Sequence, residues 1–255
     1  MMAELKAPEK NSSTLKAVAV LRAVANATSP ITLLEISRVT GFPMSVCHRF
    51  LASLQECDFV QRSDDDSGYL LGYEMLHIGR QAQAQNPVRR RITSLMYDLT
   101  QETGDTGILM VPDGRSAVCV DRIEGSYPIR ITGTQVGIRT PLHCGCAPFA
   151  ILAFSPDDFI RDYLQGDIPS MNGKTITDPI ALMERIEMTR RLGYSVGDED
   201  LFDQVVAVGV PIFDDQNRLI AGMSLGGIKQ RYDLHRIDEI GKLLLQSKGR
   251  GRSSL

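Results

Sequence analysis

The chain has 255 residues, 43% of them hydrophobic and 23% charged, with 28 Lys and Arg against 31 Asp and Glu. Those proportions exclude a disordered or collagen-like polymer. A net charge of −3 excludes a protein that coats nucleic acid through bulk positive charge, but leaves room for a local DNA-reading element. No apolar run approaches the roughly 18 residues of a membrane span, and the opening MMAELKAPEK lacks a signal-peptide core, so the expectation is a cytoplasmic protein with no membrane partner.

Residues 1–11 read as a polar, disordered tail. Ser12 and Ser13 are good helix caps, and Ala17, Val18, Leu21, Val24 and Ala25 then recur at helical spacing until Ser29-Pro30 breaks the run. Thr32-Leu33-Leu34-Glu35 has the form of a capping box, with Ile31 and Ile36 placed as a hydrophobic staple and Gly41 placed to end the helix. Phe42-Pro43 turns into a third helix, Met44 to Glu56. Its apolar face is Cys47, Phe50, Leu51 and Leu54, and its opposite face is Ser45, His48, Arg49 and Ala52. Phe59–Arg62 and Tyr69–Leu71 read as strands on either side of Ser63-Asp64-Asp65-Asp66-Ser67-Gly68. Three short helices followed by a hairpin describe a winged helix-turn-helix over 12–73.

Residues 74–88 read as a linking helix ending at Asn86-Pro87. Ile92, Leu95, Met96 and Leu99 mark another amphipathic helix, which opens a second domain over 89–248. Strands are expected at Gly107–Val111, Ala117–Val120 and Ile129–Thr132. A compact helix is expected from Gly145 to Phe154, and one over Pro179–Leu192 with Asp178 as cap and Gly193 as stop. Val205–Phe213 and Leu219–Leu225 make a hairpin, and a helix through Leu234, Ile237, Ile240 and Leu244 precedes a tail at 249–255. The fold class is two-domain α+β with a largely antiparallel sheet in the second half; no Gly-rich dinucleotide fingerprint occurs.

A DNA-reading helix must bury one face and present polar side chains to base edges and phosphates. Ser45, His48 and Arg49 meet that need, since Arg pairs bidentately with guanine, and Arg62 on the wing is placed to reach phosphate. The plainer alternative is a solvated face. Residues 1–80 hold eight basic and nine acidic residues, a net charge of −1, and the wing tip carries Asp64, Asp65 and Asp66. Affinity is therefore expected to need dimerisation, with Arg89, Arg90 and Arg91 as extra contacts.

In the second half, Thr140 to Ala147 runs from a strand end into a helix through small residues, which let a carboxylate approach backbone amides at a positive helix end. Tight helix–sheet packing would ask for the same residues. The cysteines at 47, 57, 119, 144 and 146 are odd in number and carry no zinc spacing. His143, Asp198 and a cysteine have the residue types of a thiol triad, but no nucleophile elbow accompanies them. Neither a catalytic set, a metal set nor a cofactor is assigned.

Taken in order, LKAVAVLRAV, ITLLEISRVTGFPMSVCHRFLASLQECDFV, GYLLGYEMLHIG, VGIRTPLH, TITD, RRLGYSVGDED, VVAVGVPIFD and AGMSLGG resemble IclR-type bacterial transcription regulators across about residues 12–248. The resemblance implies an N-terminal winged helix-turn-helix, a linking helix, and a C-terminal effector-binding domain of GAF/profilin-like fold. It also implies dimers or tetramers that answer to small organic acids. It sets the recognition helix on Met44 to Gln55, with Ser45, His48 and Arg49 in matching places and Val46 where a hydroxyl residue is common. The implied effector pocket is Cys144, Gly145, Cys146 and Ala147, the acidic turn from Gly197 through Asp198 to Glu199, and Ala207 and Ser224. The chain departs from the family pattern at Gly145, usually Ser or Thr, at Pro148, usually Gly, at Phe149, usually Lys, and at Gly197, frequently Asp. The expected effector is accordingly an acid bulkier and more apolar than pyruvate or glyoxylate, with its apolar body against Phe149 or its neighbours.

The resulting expectation is a regulator of catabolic genes that binds a palindromic double-stranded DNA operator as a homodimer or tetramer. Two rivals stand beside it: a thiol or metal sensor using His143, Cys144 and Cys146, and an enzyme acting on a small acid with an appended DNA-binding domain.

Overall fold

Caps and short apolar stripes set the first helices. In the computed structural model, which describes residues 12–129 and 133–250, α1 spans Ser13–Ala25, α2 Leu33–Thr40 and α3 Met44–Glu56. Ser12 stands at the α1 N-cap but makes no side-chain cap bond. At α2 both halves of the box form: Glu35 N donates to Thr32 Oγ1 at 3.2 Å, and Thr32 N donates to Glu35 Oε2 at 2.9 Å. Gly41, at φ +70°, ends the helix in the left-handed conformation. Val20, Ile36, Cys47 and Leu51 are wholly buried where the three helices meet. Each large aliphatic among them contributes about 1.5–3 kcal/mol relative to exposure. Strands β1 (Val60–Arg62) and β2 (Tyr69–Leu71) pair antiparallel, Arg62 opposite Tyr69, and Ile31 bridges to Tyr69. Helix α4 (Glu74–Gln85) follows with no buried residue.

The chain divides into two units, Met1–Ala82 and Gln83–Leu255. The second is built on one six-stranded sheet in the order β5-β4-β3-β8-β7-β6, every neighbouring pair antiparallel. The strands are β3 (Thr106–Asp113), β4 (Ser116–Ile123), β5 (Arg139–Pro141), β6 (Ser195–Asp198), β7 (Val205–Phe213) and β8 (Leu219–Ile228). Two separate apolar clusters accompany the sheet. One joins it to α5 (Pro87–Thr103) and α9 (Leu234–Arg250) through Met96, Leu109, Val208, Leu225 and Leu244. The other joins it to α6 (Cys146–Ala153), α7 (Asp157–Gln165) and α8 (Pro179–Leu192) through Met110, Leu142, Phe149, Leu152 and Leu182.

Helix α6 is apolar all round, and every one of its residues is buried. It lies so close to the sheet that a Cβ on Gly222 would sit 2.1 Å from the Ala147 carbonyl oxygen, and one on Gly209 2.7 Å from the Cys146 carbonyl. Glycine on both strands is thus the condition for that approach. Asp178 caps α8 by accepting from Ala181 N at 2.8 Å, and Gly193 ends it at φ +80°.

The structure departs from the sequence reading in places. Ile129 lies in a bend rather than a strand, and 130–132 of the expected strand Ile129–Thr132 lie outside the described residues, as do 1–11 and 251–255 of the two expected tails. Helix α7 and the short strand β6 had not been expected, whereas β5 falls where a strand end was read at Thr140. No helix among the described residues is long and apolar enough to cross a membrane.

Candidate functional site

In the first unit α3 buries Cys47, Phe50 and Leu51 and leaves Ser45, His48, Arg49 and Ala52 exposed. The Arg49 guanidinium lies 5.2 Å from the Phe50 ring centroid, and no carboxylate pairs with it among the described residues. Arg62 is more engaged. Its guanidinium stacks 4.2 Å from the Tyr69 ring centroid and pairs with Asp66 at 3.1 Å, on a side chain 45% exposed. The wing thus carries its own competitor for phosphate.

In the second unit a cavity of about 50 Å³ opens where the N-terminus of α6 meets the sheet. Gly145, Cys146, Ala147, Ala207 and Ser224 line it, all five predicted. Gly145, at φ +68° and ψ 166°, has no side chain with which to cap the helix. The first amides of a helix have no partner within it, so those of Cys146 and Ala147 lie at a positive helix end. Pro148 also lines the cavity and has no amide hydrogen to add. Most of the remaining walls are apolar (Ile108, Met110, Leu201, Phe202 and Val205), with Thr134 and Asp200 also in the lining.

Three predicted residues are placed elsewhere. The buried Cys144 is not in the lining. Asp198 pairs with Lys229 at 2.8 Å. Glu199 is 5% exposed and turned away from the cavity, where it accepts from Lys229 at 2.7 Å, Lys174 at 2.8 Å and Gln204 N at 2.8 Å. Its bonds to the lysines and to Gln204 hold its pKa down at about 2. Glu199 therefore staples the loop between β6 and β7, whose tip carries Asp200, Leu201 and Phe202 into the cavity wall. Phe149 is likewise not a pocket residue. It is fully buried in the α6–α8 core with the Arg185 guanidinium 3.9 Å over its ring. That corrects the expectation of an apolar ligand body against it.

Sequence reasoning missed Asp200 and Arg185. Asp200 lines the cavity and accepts from Arg185 Nη2 at 2.8 Å. Arg185 Nη2 also donates to the Val196 carbonyl at 2.8 Å. Asp200 stands one residue beyond the turn residues assigned to the pocket, and Arg185 comes from a different element, so no local pattern linked the two.

His143 is a structural clasp. Its Nε2 lies 2.9 Å from the Pro169 carbonyl, which only accepts, so Nε2 carries the proton and Nδ1 accepts from the Tyr163 hydroxyl at 2.8 Å. Burial lowers its pKa, in keeping with a neutral ring. Burial also raises the Cys144 thiol to about 12 and the Cys119 thiol to about 11, and raises that of Cys146, which donates to the Ala207 carbonyl at 2.9 Å. Reactive thiols have the opposite shift. His143, Asp198 and a cysteine are not brought together as a triad.

Comparison with known proteins agrees with this architecture. Residues 13–64 match the IclR helix-turn-helix domain, and residues 81–249 match the bacterial transcriptional regulator IclR C-terminal domain. The HTH-type transcriptional regulator KipR of Bacillus subtilis is 32% identical over 229 residues, covering 89% of this chain and 90% of KipR. The crystal structure of an IclR regulator from Alicyclobacillus acidocaldarius shares the fold with a TM-score of 0.81 at 22% identity, over 94% of this chain and 96% of that one. So does an IclR homologue from Microbacterium hydrocarbonoxydans complexed with 4-hydroxybenzoate, with a TM-score of 0.77 at 19% identity, over 94% of this chain and 98% of that one. With a helix-turn-helix unit followed by a sheet-based unit that encloses a cavity, the chain belongs to the IclR family of bacterial transcriptional regulators and is a DNA-binding regulator of that type.

Proposed function

We propose that this regulator controls catabolic genes by binding a two-fold operator through Ser45, His48, Arg49 and the wing Arg62, and that a small organic acid in the α6 cavity sets its occupancy. One observation carries the effector reading: a helix N-terminus with no side-chain cap, together with Thr134 and Ser224, borders a cavity whose other walls, Asp200 apart, are mainly apolar. The Microbacterium homologue's complex with 4-hydroxybenzoate supports an acid as the ligand class. A water needs about 10–15 Å³ of such space, so the cavity as it stands seats a molecule of a few non-hydrogen atoms. A bulkier acid requires the Leu201–Phe202 tip to move outward. The ligand acts only through its different affinity for DNA-competent and DNA-incompetent states of a homodimer or tetramer.

The test is a thermal-shift screen of organic acids on the wild type and on Ala207→Leu, whose side chain would fill the cavity. Ligand bound only to the native state raises Tm with concentration. The expected result is stabilisation of the wild type by an acid and its loss in the variant. If no acid stabilises the wild type, or if the Ala207→Leu variant is stabilised just as well, the site is misplaced.

A further inference from the structure

Among the described residues that line the cavity one side chain is charged, and it is negative. Asp200 is 9% exposed at its side chain. Its Oδ2 is taken by Arg185, which is itself fixed by the Val196 carbonyl and the Phe149 ring. The Asp200 main-chain carbonyl accepts from Thr175 Oγ1 at 2.8 Å, so the residue is held from both ends. Its Oδ1 makes no hydrogen bond among the described residues. That oxygen lies 2.9 Å from the point where a Cβ on Gly197 would stand, a point only 2.8 Å from Cys146 Sγ. Because residue 197 is glycine, nothing of its own comes between Oδ1 and the cavity. An ionised carboxylate accepts hydrogen bonds and donates none, so Oδ1 is open to a donor from the cavity.

We propose that Asp200 Oδ1 is a specificity determinant that accepts a hydrogen bond from a hydroxyl or ammonium group of the effector, which is therefore a hydroxy or amino acid rather than a simple carboxylic acid. The claim rests on the acid-binding reading of the same cavity. In this proposal the ligand's carboxylate meets the Cys146 and Ala147 amides and its donor meets Asp200. A carboxylate turned the other way would face Asp200 and be repelled.

Matched acids that differ in one group test this by titration calorimetry and thermal shift: propionate, lactate and alanine; butyrate and 3-hydroxybutyrate; benzoate and 4-hydroxybenzoate. In the wild type, at least one donor-bearing member is expected to bind about tenfold or more tightly than its plain counterpart, because a site built around a hydrogen bond rejects the analogue that lacks it. Lactate against alanine separates hydroxyl from ammonium. In Asp200→Asn the amide oxygen must turn to Arg185, which only donates, and the NH2 group then faces the cavity. The preference should collapse, and the unliganded Tm reports whether the variant is folded. Plain acids binding as well as their donor-bearing partners in the wild type would overturn the proposal while leaving the acid site standing. A preference that survives in folded Asp200→Asn would overturn it as well. Binding of none of these acids would remove the acid site itself. The wild-type comparison decides the question even if the variant does not fold.

Discussion

Arg49 and Arg62 differ in how freely they can meet DNA. Arg49 stands exposed on α3 without a carboxylate partner among the described residues, opposite the buried Cys47 and Leu51. Arg49→Ala is expected to leave Tm unchanged and to lose about 1–3 kcal/mol of specific operator affinity, with relaxed preference at one base pair. A gel-shift titration on operator and scrambled DNA checks it, and unchanged affinity and preference would reject the role. Arg62 is held by Asp66, which sits at φ +55°, so Asn is the substitution that keeps the backbone. Asp66→Asn should free the guanidinium and remove a repelling charge. The expected result is tighter binding to any sequence and a log–log salt dependence steeper by about 0.9 for one added phosphate contact. At this scale the sequence was legible where a single element carries the pattern, as for Ser45, His48 and Arg49 on one helix stripe. It misled where the environment decides: Glu199 and Asp200 are adjacent, yet one staples a loop to two lysines and the other faces the cavity.

Elements with explicit start and stop chemistry were readable from sequence. Helices α2 and α8 have the capping residues and terminal glycines expected of them. Strands β5 and β6, three and four residues long, are too short to show alternation, and their pairing with β4 and β7 comes from tertiary contact. The small residues of α6 fit both earlier readings, since the same helix packs tightly on Gly209 and Gly222 and points its N-terminus at the cavity. Gly222→Ala should therefore cost about 1–3 kcal/mol in urea unfolding, as overpacked core sites do, because the obstacle is backbone. The loop between β6 and β7 offers a pH test. Glu199 titrates near 2 in the folded chain against an ordinary 4.5, so its contribution to stability is fully present above about pH 4.5 and is lost as pH falls through about 2. The stability difference between wild type and Glu199→Gln should be largest at neutral pH and vanish near pH 2. A difference that stayed constant with pH would show that the lysine contacts do not depend on the charge.

For the whole molecule, charge and exposed apolar surface point to paired chains on DNA. Residues 1–80 carry a net charge of −1, and phosphate neutralisation supplies essentially all non-specific affinity and much of the specific kind. One such unit offers few cations, and part of Arg62 is spent on Asp66. Helix α4 buries none of its residues, and beside it Tyr73 is 76% exposed while Leu76 within it is 66% exposed. A homodimer would shelter that surface and sum two sets of base and phosphate contacts, so that the second half-site is met at high effective concentration. The expected footprint has two-fold symmetry, with half-site centres about 10–10.5 base pairs apart or a multiple of that. Analytical ultracentrifugation on fluorescent operator should give two chains per pair of half-sites, or four if two dimers join. Deleting one half-site should weaken binding by orders of magnitude rather than by half. A single chain protecting one asymmetric site, with affinity indifferent to the second half-site, would show that the α3 and wing contacts suffice alone despite the charge balance.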